Sequence, residues 1–248
     1  MLIAVDVLFA IFVVLQVAYL FGGIATVSSF GITYSSYARE GYFQLVGAVA
    51  GAGLLLAVVA AAAGRARGFV GAALGLVGLT AVILASAAVR LDLYQRIYGW
   101  TELRFYVAAS IAWLGLGLAI AVVLLVRGRM HGLFHGLAFA AIIVTLVVTA
   151  IGPQAFITRI NLARALDPRL VPTEGETGFD PAYVASLGDD AIPALVDALP
   201  RLDVESRATL LAVLRMRKAA LADDPSILAW PSWNLAREQA RRALQNLP

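Results

Sequence analysis

Phe105-Tyr106-Val107-Ala108-Ala109-Ser110-Ile111-Ala112-Trp113-Leu114-Gly115-Leu116-Gly117-Leu118-Ala119-Ile120-Ala121-Val122-Val123-Leu124-Leu125-Val126 runs without one charge. A helix needs about 20 such residues to cross the hydrocarbon of a bilayer. It must be a helix, because a lone strand in lipid leaves its backbone N–H and C=O groups without partners. Four more stretches share this character, roughly Leu2–Gly22, Phe43–Ala63, Phe69–Val89 and Leu133–Ile151. The first does not read as a cleavable signal peptide. It lacks a basic start, carries Asp6, and shows no small-residue cleavage site before the next polar stretch.

The totals agree. Of 248 residues, 61% are hydrophobic and 14% charged, against roughly a quarter charged in an ordinary soluble domain. Mean hydropathy is +0.84. That balance argues against a soluble enzyme. The charges are also lopsided: residues 1–150 carry 8 Arg and 4 acids, residues 151–248 carry 11 basic and 12 acidic side chains. The chain therefore reads as all-α: a polytopic transmembrane helix bundle of about five spans, residues 1–152, followed by a small soluble helical tail domain, residues 153–248. The tail is slightly acidic and the net charge is +3, so the clustered basic footprint that nucleic acid requires is missing.

Thiol chemistry has no residues and metal chemistry has too few. There is no Cys, and the two His, His131 and His135, lie four apart beside a basic turn without further ligands in view. No phosphate loop, HExxH pair or GxSxG elbow occurs, so no cofactor or metal is expected, redox and serine-hydrolase classes find little support, and catalytic residues stay unassigned.

The short connections Gly64-Arg65-Ala66-Arg67-Gly68 and Arg127-Gly128-Arg129-Met130-His131-Gly132 are basic and share one membrane face. The other face receives residues 23–42, residues 90–104 and the tail. Arginines count four against four between the faces, which leaves orientation undecided by charge. We place the short basic turns in the cytoplasm and the tail outside it.

Two same-face connections hold most of the bundle's charges. One includes Tyr37, Arg39 and Glu40. The other includes Arg90, Asp92, Tyr94, Arg96, Tyr98, Glu102 and Arg104. Helical spacing stacks Arg90, Tyr94 and Tyr98 at i, i+4 and i+8. The plainer reading is an aromatic belt with snorkelling arginines. The sharper one is a polar cluster of Tyr37, Arg39, Glu40, Arg90, Tyr94, Arg96, Tyr98, Glu102 and Arg104, whose arginine forks suit an anionic head group. Glu40 and Glu102 would then serve as acid and base. Asp6 reads as interfacial.

Gly47-x3-Gly51 and Gly71-x3-Gly75 match the small-residue pattern that lets membrane helices pack closely, here spans two and three. A shift of 62 residues places Glu40 on Glu102, Phe43 on Phe105, Arg65 on Arg127 and Arg67 on Arg129, a candidate hairpin repeat. In the tail, residues 168–179 read as a loop. Asp180, Asp189 or Asp190, Asp203 and Ser232 read as caps of four short helices. Leu187–Leu199 has the pattern of half a HEAT-type helical hairpin, but one such unit cannot bury its own face, so it reads as convergent helix patterning.

The chain also resembles the bacterial membrane family named domain of unknown function 4173. The resemblance rests on Tyr19–Gly23, Thr33-Tyr34, Tyr37–Arg39, Gly41–Leu45, Arg90, Leu93-Tyr94, Tyr98-Gly99, Thr101 and Leu103-Arg104. In the tail it rests on Ala155–Ile157, Arg159, Asn161, Asp180, Tyr183, Leu187 and Asp190–Leu195. Members of that family carry further spans ahead of the segment that is Leu2–Gly22 here, so the resemblance implies that five spans need not be the full functional unit. It supplies no activity. Its residues fall on the two same-face connections and the tail, which implies that these three elements meet.

The expected function is an interaction or regulatory platform in the bacterial inner membrane, with the lipid bilayer as environment and a protein partner on the tail. The alternative is a membrane-embedded enzyme or binding protein for an anionic lipid or polyprenyl carrier, and a transporter component comes third.

Overall fold

The computed structural model describes residues 2–21, 47–55, 58, 67–173, 175–223, 233–245 and 247. Among them the secondary structure is helical, without a strand. The chain divides into two compact units. One takes residues 1–94 and 106–147, the other residues 95–105 and 148–248.

In the first unit lie α1 (Leu2–Phe21), residues 47–55 of α2, and most of α3 (Arg67–Tyr98), α4 (Glu102–Arg127) and α5 (Leu133–Ile151). Three helical stretches are long and apolar enough to cross a membrane: Phe69–Tyr98, Glu102–Arg127 and Met130–Ile151. The second expected span is described only in part. Of the apolar window of α3, 44% is buried, against 6% for the α5 stretch, so α3 is the most buried of the three described spans. It packs Ile83, Leu84 and Ala87 against Phe9, Phe12 and Val13 of α1, with Val49 of α2 in the same cluster. Phe134, Phe139 and Leu146 of α5 point outward, as suits a lipid-facing helix.

Among the described residues the expected glycine pairs make no close contact. A Cβ at Gly47, Gly51 or Gly71 would meet nothing, and one at Gly75 would meet only the carboxylate of Asp6, at 3.6 Å. The tight crossing is between α4 and α5. There a Cβ at Gly117 would lie 2.8 Å from Leu137, and one at Gly136 2.7 Å from Ile120. Apolar burial drives little helix association in lipid, so close backbone approach takes its place. The turn between these helices is a Schellman motif: Gly128 N–H reaches Leu125 O at 3.1 Å and Arg129 N–H reaches Leu124 O at 2.8 Å. The first copy of the proposed repeat, residues 25–68, falls largely outside the described residues.

In the second unit lie the end of α3, the start of α4, and the tail helices α6 (Pro153–Leu166), α7 (Pro181–Ser186), α8 (Ile192–Ala198), α9 (Val204–Asp223) and α10 (Leu235–Gln245). Their core includes Ile157, Val184, Leu195, Leu210, Leu214 and Leu244. Asp180 caps α7, accepting from the N–H groups of Ala182 and Tyr183 at 2.8 and 3.2 Å, with Pro181 at the first helical position. Asp203 caps α9 through the Ser206 N–H at 2.9 Å. Two expected caps differ. Neither Asp189 nor Asp190 caps α8 through its side chain. They open a short 3-10 turn, and Asp189 instead pairs with Arg237 at 3.4 Å and Arg217 at 3.9 Å. At α10 the cap is Asn234, which accepts from Arg237 N–H at 2.7 Å. Ser232 lies outside the described residues.

Candidate functional site

The expected loop at residues 90–104 is mostly helix. α3 continues through Tyr98, and three residues, Gly99 to Thr101, separate it from α4. Leu91, Tyr94, Gln95 and Tyr98 extend a period that is already helical, so nothing breaks it before Gly99.

A helix that ends leaves four carbonyls without intrahelical donors. At the end of α3 all four are met. Gly99 takes a left-handed φ of 74° and returns its N–H to Gln95 O at 2.9 Å. Arg164 donates Nη1 to Arg96 O at 2.8 Å and Nη2 to Ile97 O at 3.3 Å. The Glu176 N–H also reaches Ile97 O, at 2.8 Å. Arg104 donates Nη1 to Tyr98 O at 3.0 Å and also to Gly99 O. Two cations thus stand at the negative end of the helix dipole, where they are favoured. Arg164 further holds Thr177 O at 3.0 Å and Glu176 O at 2.6 Å. Its side chain is buried in the tail core. Burial pulls its guanidinium below the usual arginine range, yet arginine stays protonated at any pH a protein meets.

Beside this seal, Asn161 binds the backbone of Trp100 from both sides. Its Oδ1 accepts from Trp100 N–H at 2.9 Å, and its Nδ2 donates to Trp100 O at 2.8 Å. Asn161 is fully buried, and both bonds satisfy groups that would otherwise be orphaned. Trp100 packs edge-on to Phe156 at 5.0 Å between ring centres, and Phe156 meets Phe105 at 5.5 Å. Gly99 and Gly178 allow two backbones to touch. A Cβ at Gly178 would sit 2.6 Å from Tyr98 O.

At the start of α4, the Glu102 N–H donates to Tyr183 Oη at 2.9 Å. The Glu102 carboxylate accepts from Gln154 Nε2 at 2.9 Å, and Gln154 Oε1 accepts from Gly188 N–H at 3.0 Å. An acid in a first turn also suits the positive end of a helix dipole. Burial raises the Tyr183 phenol above its ordinary value. The Glu102 charge adds to this, while the Glu102 N–H bond and Arg104 oppose it.

Of the nine expected cluster residues, Tyr37, Arg39 and Glu40 lie outside the described residues. Arg90 and Tyr94 belong to the first unit. Arg96, Tyr98, Glu102 and Arg104 belong to the second. Arg104 and Glu102 turn inward onto carbonyls and Gln154. Arg96 is exposed, and its carbonyl is what Arg164 takes. The second connection and the tail meet, and residues of the family resemblance (Gly99, Asn161 and Tyr183) are among those that join them. Arg164, Gln154 and Gly178 were not singled out by sequence. One signal was available: Asn161 and Arg164 are polar at i and i+3 beside Ile157 on the apolar stripe of α6. Among the described residues no three His, Asp or Glu come together as metal ligands. His131 and His135 are exposed in the first unit.

No curated protein matches the chain, and no solved structure does. One family model matches, described as domain of unknown function (DUF4153), over residues 1–198. The matching model does not carry the 4173 name, so that likeness stays a resemblance, while an uncharacterised family is what the match supports. With well over half of its length covered, the chain belongs to the domain of unknown function 4153 family.

Proposed function

We propose that this is a multi-pass protein of the bacterial inner membrane whose tail, residues 153–248, serves as an interaction or regulatory platform on the extracytoplasmic side. One observation carries the reading. The tail has its own buried core, yet it leaves Leu170, Val204, Met216, Trp233 and Leu235 on its surface, at 54 to 88% exposure. The lipid-enzyme alternative asks Arg and Glu side chains to face a shared pocket. Arg104 and Glu102 are engaged within the fold instead. A kinship with the 4173 family belongs to the same reading.

The test is chemical crosslinking in native membranes followed by purification. A discrete protein adduct traced to tail residues is expected. A chain that purifies alone, without any adduct on the tail, overturns the proposal. A topology reporter fused after Pro248 checks orientation: extracytoplasmic activity is expected, and cytoplasmic activity reverses it.

A further inference from the structure

A groove of about 550 Å³ runs between α6 and α8. Its apolar lining comprises Leu162, Ala163, Leu166, Leu170, Pro193 and Ala194, of which Leu162 is buried. Its rim carries Arg159, Asp167, Asp197 and Arg201, all exposed. Arg159, Asp197 and Arg201 form no ion pair among the described residues. From Arg159 to Leu166 the lining follows helical spacing over about 10 Å, two turns of helix.

We infer that this groove binds an amphipathic helical segment of a partner protein, a reading that rests on the platform function proposed above. Two observations choose this occupant. First, a pair of neighbouring helices that leaves an apolar furrow open offers the surface on which stacked helical proteins place their next helix. A partner helix fills such a furrow with apolar anchors at i, i+3 or i+4, and i+7. Second, the rim carries both signs. A purely anionic head group would meet Asp167 and Asp197, and a purely basic peptide would meet Arg159 and Arg201. A segment with an acid and a base flanking its apolar stripe answers all four.

The test uses the full chain in its native membrane. A photo-crosslinking side chain is placed at Ala194 in the groove, or at Ala220, an exposed position on α9 that does not line it. Labelling from Ala194 of a protein segment whose sequenced peptide has that apolar spacing and both charges is expected. Yield should fall about tenfold in the double variant Asp197→Arg, Arg201→Asp, an effect on the scale of a lost charge pair. Ala163→Glu should lower it as well. All three residues are exposed, so thermal unfolding of the tail serves as the control for folding. Labelling of lipid alone, of a second copy of this chain, or at a yield no higher than from Ala220 overturns the inference. Protein labelled from Ala220 but not from Ala194 leaves the platform standing and removes the groove. Protein labelled from neither removes both.

Discussion

The two units are held together by different means. In the first, α4 and α5 meet at Gly117 and Gly136, where only hydrogen fits between a backbone and a neighbouring side chain. The second buries Thr158, Asn161 and Arg164 in its core and directs two of them at backbone groups as much as 68 residues away. In lipid, shape is what distinguishes one helix pairing from another. In an aqueous core, apolar burial supplies cohesion, and buried polar bonds fix which backbone lies against which. The first kind of contact yields to small adjustments, because side-chain ends can move. The second does not, because a carbonyl cannot leave its peptide.

The largest expected effect tests that rigidity. Arg164→Ala removes donors from four carbonyls and should destabilise the second unit by about 3–5 kcal/mol, read from denaturant unfolding in detergent or from proteolysis of the tail. Arg164→Lys should restore only part of this, since an ammonium lacks the planar fork. Next, Gly178→Ala should cost about 2–3 kcal/mol, from a Cβ pressed on a carbonyl at positive φ. Gly117→Ala should cost less, about 1 kcal/mol, because the atom in its way is the end of Leu137. Equal losses at the two glycines would erase the contrast between the units. Tyr183→Phe deletes the acceptor for the Glu102 N–H and should cost about 1 kcal/mol, seen as faster amide exchange at the start of α4.

The smallest effect is electrostatic. The Ser206 N–H holds the Asp203 carboxyl below the usual carboxylate range. A depressed value means the cap contributes fully above the ordinary carboxylate pKa and is lost as pH falls through the lowered value. The protection of first-turn amides of α9, measured against their intrinsic exchange at each pH, should therefore fall on acidification below about pH 4. Asp203→Asn, which caps without a charge, should remove the pH dependence while keeping the protection.

Three of the five expected spans, those beginning near Phe69, Phe105 and Leu133, were legible because a long uncharged run has few readings. The extension of α3 was half legible: Arg90, Tyr94 and Tyr98 showed helical spacing, and the charges around them suggested a connection instead. The tail caps could be read where Asp stood directly before a helix, as at Asp180 and Asp203. They failed where a 3-10 turn intervened, as at Asp189. The helix-end seal was hidden for a physical reason. Its acceptors are carbonyls, which every residue possesses, so no side chain at Arg96 or Ile97 announces that Arg164 is needed. Asn161 and Tyr183 stood among the resemblance residues, but their partners are also backbone groups.

The seal on α3 has a consequence for how the protein is made. Arg164 follows Ile97 by 67 residues, and ribosomes add about 5–20 residues per second. The end of α3 therefore leaves the ribosome seconds before the arginine that closes it. Until then water or the insertion machinery must serve the carbonyls of Arg96 and Ile97. A chain stopped before Arg164 would leave the last turn of an early helix without that arginine's donors, so the end of α3 is finished only after translation has moved well past it.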